Sequence, residues 1–168
     1  MQKLNQPKIS MKAVQKFNFK NLIVVSVSLI AFTSHVRQDL AEQLVGEWRN
    51  VYLNIVVNKK GKTVDVLTAD STNWEATLKI HPIRTHFEKN GTYYSEYFNL
   101  KDSLVRRTEG IWFIKGSKIT ISQLKPNKAL YKYELSIKHN HATFSGYIDF
   151  NEDGKEDDYY FGIQKKYN

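Results

Sequence analysis

At 168 residues the chain has length for one domain with its own core plus a tail, and at 41% hydrophobic and 25% charged its composition sits near the globular norm. The formal charge of +8 does not describe a nucleic-acid binder: residues 1–33 hold five lysines and no acid, and the rest carries twenty basic against seventeen acidic residues, a net of +3 with no clustered basic face. The absence of cysteine excludes a thiol-linked lipid anchor and disulfide staples, so stability must come from the core itself.

The chain opens on a Lys-bearing stretch, residues 1–21, followed by the eleven-residue apolar run Leu22–Phe32. This is the order of a signal peptide, a positive n-region and then an h-region too short to span a bilayer core. Ala31, Thr33 and Ser34 supply small residues for cleavage, and Met11 offers an alternative start. The expectation is a signal segment at 1–33 and a mature protein exported to the periplasm or secreted, with no stable membrane anchor after cleavage. The competing reading of the apolar run is a buried core strand or an uncleaved anchor. Residues 34–45 read as a linker with a short helix, Leu40 and Leu44 lying at i, i+4 within Gln38–Val45.

From Gly46 onward the hydrophobic period becomes two. Tyr131, Tyr133, Leu135 and Ile137 alternate with Lys132, Glu134, Ser136 and Lys138, giving one apolar and one solvated face. Phe144, Gly146, Ile148 and Phe150 repeat the pattern, as do Tyr159, Phe161 and Ile163. Turn signals at Asn58–Lys62, Asn90-Gly91, Lys115–Ser117 and Lys138–His141 cut the chain at strand-length intervals; Asn90-Gly91 predicts a two-residue hairpin. The segment Thr63–Arg84, polar and interrupted by Pro82, reads as one or two edge strands or a loop over a barrel mouth. The fold expected for 46–167 is all-β: a single antiparallel up-and-down β-barrel of eight to ten strands with a short N-terminal helix, closed because closure removes sheet edges.

Gly46-Glu47-Trp48, after the helical turn and at the head of a long strand, resembles the G-x-W signature of lipocalins, the calycin barrels. The stretch Thr108–Ile121 resembles the central hairpin of bacterial lipocalin-like envelope domains, and the likeness covers roughly residues 40–166. The resemblance implies that Trp48 plugs the closed end of the barrel with a late-strand basic residue packed over it. Lys165 and Lys166 are placed for that role, where the family has Arg. It also implies a small apolar or amphipathic ligand in the barrel. Tyr93, Tyr97, Phe113, Tyr131, Tyr133 and Phe144 are the expected interior residues, either lining a ligand cavity or filling the barrel as plain core.

One further segment carries chemistry. Asp149-Phe150-Asn151-Glu152-Asp153-Gly154-Lys155-Glu156-Asp157 places oxygen donors at alternate positions around a glycine, as the first half of an EF-hand loop does. Side chains of Asp149, Asn151, Asp153 and Asp157 with the Lys155 carbonyl would suit weakly held Ca²⁺, since the twelfth position is Tyr160 and the closing bidentate Glu is absent. The alternative is a solvated acidic turn. No nucleophile elbow, P-loop or dinucleotide fingerprint is present; Glu96, Glu109 and Glu134 could face a cavity as acid/base groups of a hydrolase or isomerase, but on alternating strands they are expected to face solvent. His139 and His141 sit in a turn without a third ligand in sequence. The expected role is therefore an exported, non-catalytic binding protein. Its rival is a cell-envelope interaction protein with a filled barrel and a calcium-braced acidic hairpin.

Overall fold

The structure, a computed structural model, describes residues 40–167. The signal segment, the alternative start and the first residues of the linker lie outside that range. The helix foreseen at Gln38–Val45 is described over 40–44 (α1). Among the described residues it is followed by β1 (Gly46–Lys59), β2 (Lys62–Asp70), α2 (Trp74–Leu78), β3 (Arg84–Phe87), β4 (Thr92–Phe98), β5 (Leu104–Lys115), β6 (Lys118–Lys125), β7 (Ala129–Lys138), β8 (His141–Ile148) and β9 (Asp158–Tyr167).

The pairing shows how the wall closes. Every pair is antiparallel, and β3 to β9 follow one another as a meander. β9 then returns to β1, so β1 and β3 to β9 form a closed ring of eight strands. A strand has only two edges. Residues Glu47–Arg49 pair with both β3 and β9, whereas Tyr52–Val56 pair with both β2 and β9, so β2 and β3 share one edge of β1 end to end.

The change of partner coincides with a β-bulge. Asn50 faces Gln164 and Tyr52 faces Ile163, which leaves Val51 as the extra residue. Because successive side chains alternate across a strand, one extra residue reverses which parity faces inward. Trp48 and Asn50 are buried before the bulge; Leu53, Ile55 and Val57 are buried after it.

The turns follow the local chemistry. Lys60 and Gly61 both take positive φ (52° and 73°) between the facing residues Lys59 and Lys62, and His139 and Asn140 do the same between Lys138 and His141. These are the two-residue turns whose twist matches that of the flanking strands. Asn90-Gly91 also makes a hairpin, but not a two-residue one. Gly91 N donates to Glu88 O at 3.0 Å and Glu88 N to Thr92 O at 2.8 Å, so the chain turns over 88–91 with only Gly91 left-handed, at φ 84°. The Asn90 side chain is spent accepting from Thr92 N and Oγ1 at 2.9 and 2.7 Å, which holds this longer loop instead.

Three expectations need correction. Thr63–Arg84 holds both a strand, β2, and a five-residue helix, α2. Trp74 in that helix is 2% exposed and packs with Leu53, Ile55, Val57 and Ala69 in a second core cluster. In β9 the inward set is Tyr160, Gly162 and Gln164, not Tyr159, Phe161 and Ile163. The latter lie on the outer face, where Phe161 meets Tyr52 edge-on at 5.9 Å and Tyr159 meets Tyr147 at 5.5 Å. Phe113 also points outward and is 54% exposed, because the register through Thr108, Gly110 and Trp112 gives the inner face to the even positions of β5.

Candidate functional site

One end of the barrel is stoppered by the segment that carries Gly46 and Trp48. Trp48 is fully buried, and its Nε1 donates to Leu44 O at 2.6 Å, tying the plug to the last turn of α1. Leu44, Phe87, Trp112, Ile119, Leu135 and Phe144 complete the core around it. From β9, Lys166 brings Nζ to 5.3 Å from the Trp48 ring centre and donates to Gln43 O at 2.7 Å. Burial pushes the Lys166 ammonium pKa down, while the indole face and the carbonyl supply what water no longer does. Gly46 is favoured here by its φ of 125°, and a Cβ would also crowd Lys166 Cε at 3.1 Å. Lys165, the other positional candidate, is exposed on the opposite face.

Above the plug is a cavity of about 420 Å³. Tyr93, Tyr97, Tyr131, Tyr133 and Phe144 line it, and Phe113 does not. The β7 face alternates as the sequence dictates, with Tyr131 and Tyr133 rings 6.2 Å apart and 5° from parallel. Tyr160, which sequence periodicity placed on the wrong face, lies 5.0 Å from Tyr133 and closes the aromatic side. Polar lining went unforeseen. Asn50, Thr85, Ser95, Thr108, Gln123 and Gln164 are each under 9% exposed and all face the cavity. Single polar residues on the buried side of a strand break its alternation, so they read as noise in sequence.

Burial raises the phenol pKa of the cavity tyrosines. Tyr93 is pushed up to about 12, with neighbouring Tyr131 and Tyr97 adding to desolvation, and Tyr97, Tyr133 and Tyr160 also move upward, mainly through burial. A raised acid pKa lends stability that is complete below the unfolded value near 10 and is lost as pH climbs through the folded values. The urea midpoint is therefore expected to fall steeply above about pH 10, and to fall less steeply in Tyr133→Phe. Equal slopes for the two proteins would show that ionisation of Tyr133 does not contribute to the loss.

The open end is framed by Arg106, Ile148, Asp149, Phe150 and Glu152. The Arg106 guanidinium lies 5.4 Å from the Tyr97 ring centre. The acidic segment Asp149–Asp157 forms the loop between β8 and β9 here. The side-chain oxygens of Asp149, Asn151 and Asp153 are turned onto the loop's own backbone, while Asp157 Oδ1 is buried without a partner among the described residues. Asp149 accepts from Asp153 N and Gly154 N, both at 2.9 Å, Asn151 Oδ1 from Asp153 N at 3.0 Å, and Asp153 Oδ1 from Lys155 N at 3.1 Å. Lys155 is exposed, and Asp157 is held through its carbonyl, which accepts from Asn58 Nδ2 at 2.7 Å. Among the described residues no three His, Cys, Asp or Glu side chains converge on a point that would hold a metal ion. The loop's anchor is a residue outside the expected set. Asp158 is fully buried and accepts from Asn58 N at 2.6 Å, Phe150 N at 2.7 Å and Asn151 N at 3.1 Å.

The remaining charged side chains face out. Glu96 and Glu109 flank Arg107, at 2.6 and 2.8 Å, over the Tyr94 ring, and Glu134 meets Lys118 at 3.2 Å. His141 Nδ1 lies 2.9 Å from His139 O in the turn they share.

A closed antiparallel barrel, a helical turn leading into Gly-x-Trp, and a late-strand cation over the tryptophan stand together in one molecule. The fold is lipocalin-like. No family model matches the chain, and no curated protein does. Among solved structures, a lipocalin-like protein from Bacteroides uniformis is 14% identical with a TM-score of 0.47, covering 74% of this chain and 99% of its own. An uncharacterized protein from Bacteroides eggerthii is 15% identical with a TM-score of 0.44, at the same coverage. Likeness at that level adds nothing to what the strand order and the plug already give.

Proposed function

We propose that this lipocalin-like barrel is an exported binding protein that holds one small amphipathic molecule in its cavity. The observation that supports it is the cavity itself: about 420 Å³, stoppered by Trp48 at one end and open at the other. That volume falls in the range of about 300–1,000 Å³ typical of small-molecule sites. The proposed role is binding, and the commitment of the mouth carboxylate Asp149 to backbone donors of its own loop supports it.

A titration with the fluorescent amphiphile 1-anilinonaphthalene-8-sulfonate tests this. One equivalent is expected to bind with a blue-shifted emission, and Ile121→Trp, which thrusts a larger side chain into the cavity, is expected to weaken it at least tenfold. A second reading, an envelope interaction protein, draws on Ile111, Phe113, Leu124 and Leu130, all about half exposed on the outside of β5 to β7. If Phe113→Ser abolishes probe binding and Ile121→Trp leaves it unchanged, the outer face is the binding surface and the cavity reading fails. Calcium belongs to that second reading, and a rise in melting temperature at millimolar Ca²⁺ that Asp153→Ala removes would support it.

A further inference from the structure

The cavity wall has two chemically different sides. β3, β4 and β5 set Thr85, Ser95 and Thr108 directly opposite one another in register, a row of three hydroxyls none more than 6% exposed. Thr85 Oγ1 and Ser95 Oγ are 2.9 Å apart. Next to this row, β1 and β9 pair Asn50 with Gln164 just above the Trp48 plug. Gln164 Nε2 donates to Asn50 Oδ1 at 3.4 Å, but Gln164 Oε1, on a side chain only 8% exposed, has no hydrogen-bond partner. Across the ring of strands, β7 and β8 present Tyr131, Tyr133 and Phe144, with Tyr133 edge-on to Phe144 at 6.2 Å.

Thr85 and Ser95 already share a hydrogen bond, but an alkyl chain would leave Gln164 Oε1 dry and unpaired and would leave the spare donor and acceptor capacity of the hydroxyl row unused. A site built to hydrogen-bond its ligand discriminates strongly against an analogue lacking the matching group. The aromatic side favours a flat partner that stacks on it.

We infer that the ligand is a flat ring compound bearing hydroxyl or amide groups along one edge, its face on the parallel rings of Tyr131 and Tyr133, its rim against Phe144, and its polar edge on the Thr85–Ser95–Thr108 row, donating a hydrogen bond to Gln164 Oε1. This rests on the barrel being a binding site, and the experiment separates the two ideas. Naphthalene and 2,7-dihydroxynaphthalene share one ring system and differ only in edge hydroxyls. In equilibrium dialysis against the full chain, the dihydroxy compound is expected to bind at least tenfold tighter. Gln164→Met and Thr108→Val, near-isosteric changes that remove an acceptor and a hydroxyl, are each expected to reduce that preference at least threefold, read as the ratio of the two affinities in the same variant. Retained naphthalene binding shows that a variant has kept its fold and cavity, and if one variant loses naphthalene the other is read alone. Equal affinities for the two probes in the wild type, or a preference that survives both substitutions, overturns the inference and leaves the binding reading standing. If neither compound nor the sulfonate probe binds, both fall.

Discussion

Trp48→Ala is expected to lower the free energy of unfolding by about 4 kcal/mol, the range seen when a large buried aromatic side chain is truncated. Three things are lost together. The indole fills the closed end of the barrel and is fully buried, so its removal leaves a void walled by Leu44, Phe87 and Trp112 that the surrounding strands cannot collapse to fill. Its Nε1 no longer caps Leu44 O, which leaves α1 held on the barrel by the Lys166–Gln43 hydrogen bond and the packing of Leu44. The Lys166 ammonium loses the ring it lies over and is left partly desolvated with one carbonyl. Trp48→Phe keeps most of the volume and forfeits the hydrogen bond, and about half of the loss is expected for it. Urea unfolding followed by far-ultraviolet circular dichroism measures both; a change below about 1 kcal/mol for the alanine variant would mean that the plug is not a principal part of the core.

Asp158→Ala is expected to be the second largest, at about 3 kcal/mol, because it strands three part-buried backbone N–H groups at once. Those donors come from both sides of the open end, Asn58 after β1 and Phe150 and Asn151 after β8, so a single side chain ties the acidic loop to the rim. The sign of its pH dependence follows from its pKa. Burial alone would raise it, but the three N–H donors outweigh burial and hold the carboxyl below its usual range. A depressed carboxyl pKa gives stability that is complete above the unfolded value of about 4 and disappears as pH falls through the folded value. The gap in unfolding free energy between wild type and Asp158→Asn is therefore expected to be widest near neutral pH and to narrow below about pH 4. A gap that is constant from pH 7 to pH 2 would mean that charge contributes nothing there.

Much of this was legible in the chain. Tyr131 to Ile137 alternate without interruption, and β7 has the predicted face, because nothing in that stretch disturbs the period of two. The likeness of Gly46-Glu47-Trp48 to the lipocalin signature implied a tryptophan at the closed end, and of the two positional candidates to cover it, Lys165 and Lys166, it is Lys166 that lies over the ring. Misreadings arose where phase is set from outside the segment. Ile111-Trp112-Phe113-Ile114 is apolar throughout, so sequence cannot say which parity faces in; the pairing of Gly110 with Gln123 and of Tyr93 with Gly110 decides it. In β9 the larger apolar side chains, Tyr159, Phe161 and Ile163, cover the outer face, while the inner face carries a glycine and a glutamine that no hydrophobic scan would choose. Asp158 lay one residue beyond the donor spacing of the acidic motif, and its partners are set by folding: Asn58 is a hundred residues away.

The bulge at Val51 gives β1 a parity rule. One added residue exchanges inner and outer faces from that point to the end of the strand, much as a single-base insertion changes every later codon. Length changes in β1 beyond Val51 are thus not graded by size. An even number of residues alters reach and keeps Leu53, Ile55 and Val57 in the core, whereas a single residue in either direction turns all three to water and brings Tyr52, Asn54 and Val56 inside. The same arithmetic makes Val51 itself, a half-buried residue with no distinctive contact, less tolerant of deletion than of any side-chain replacement.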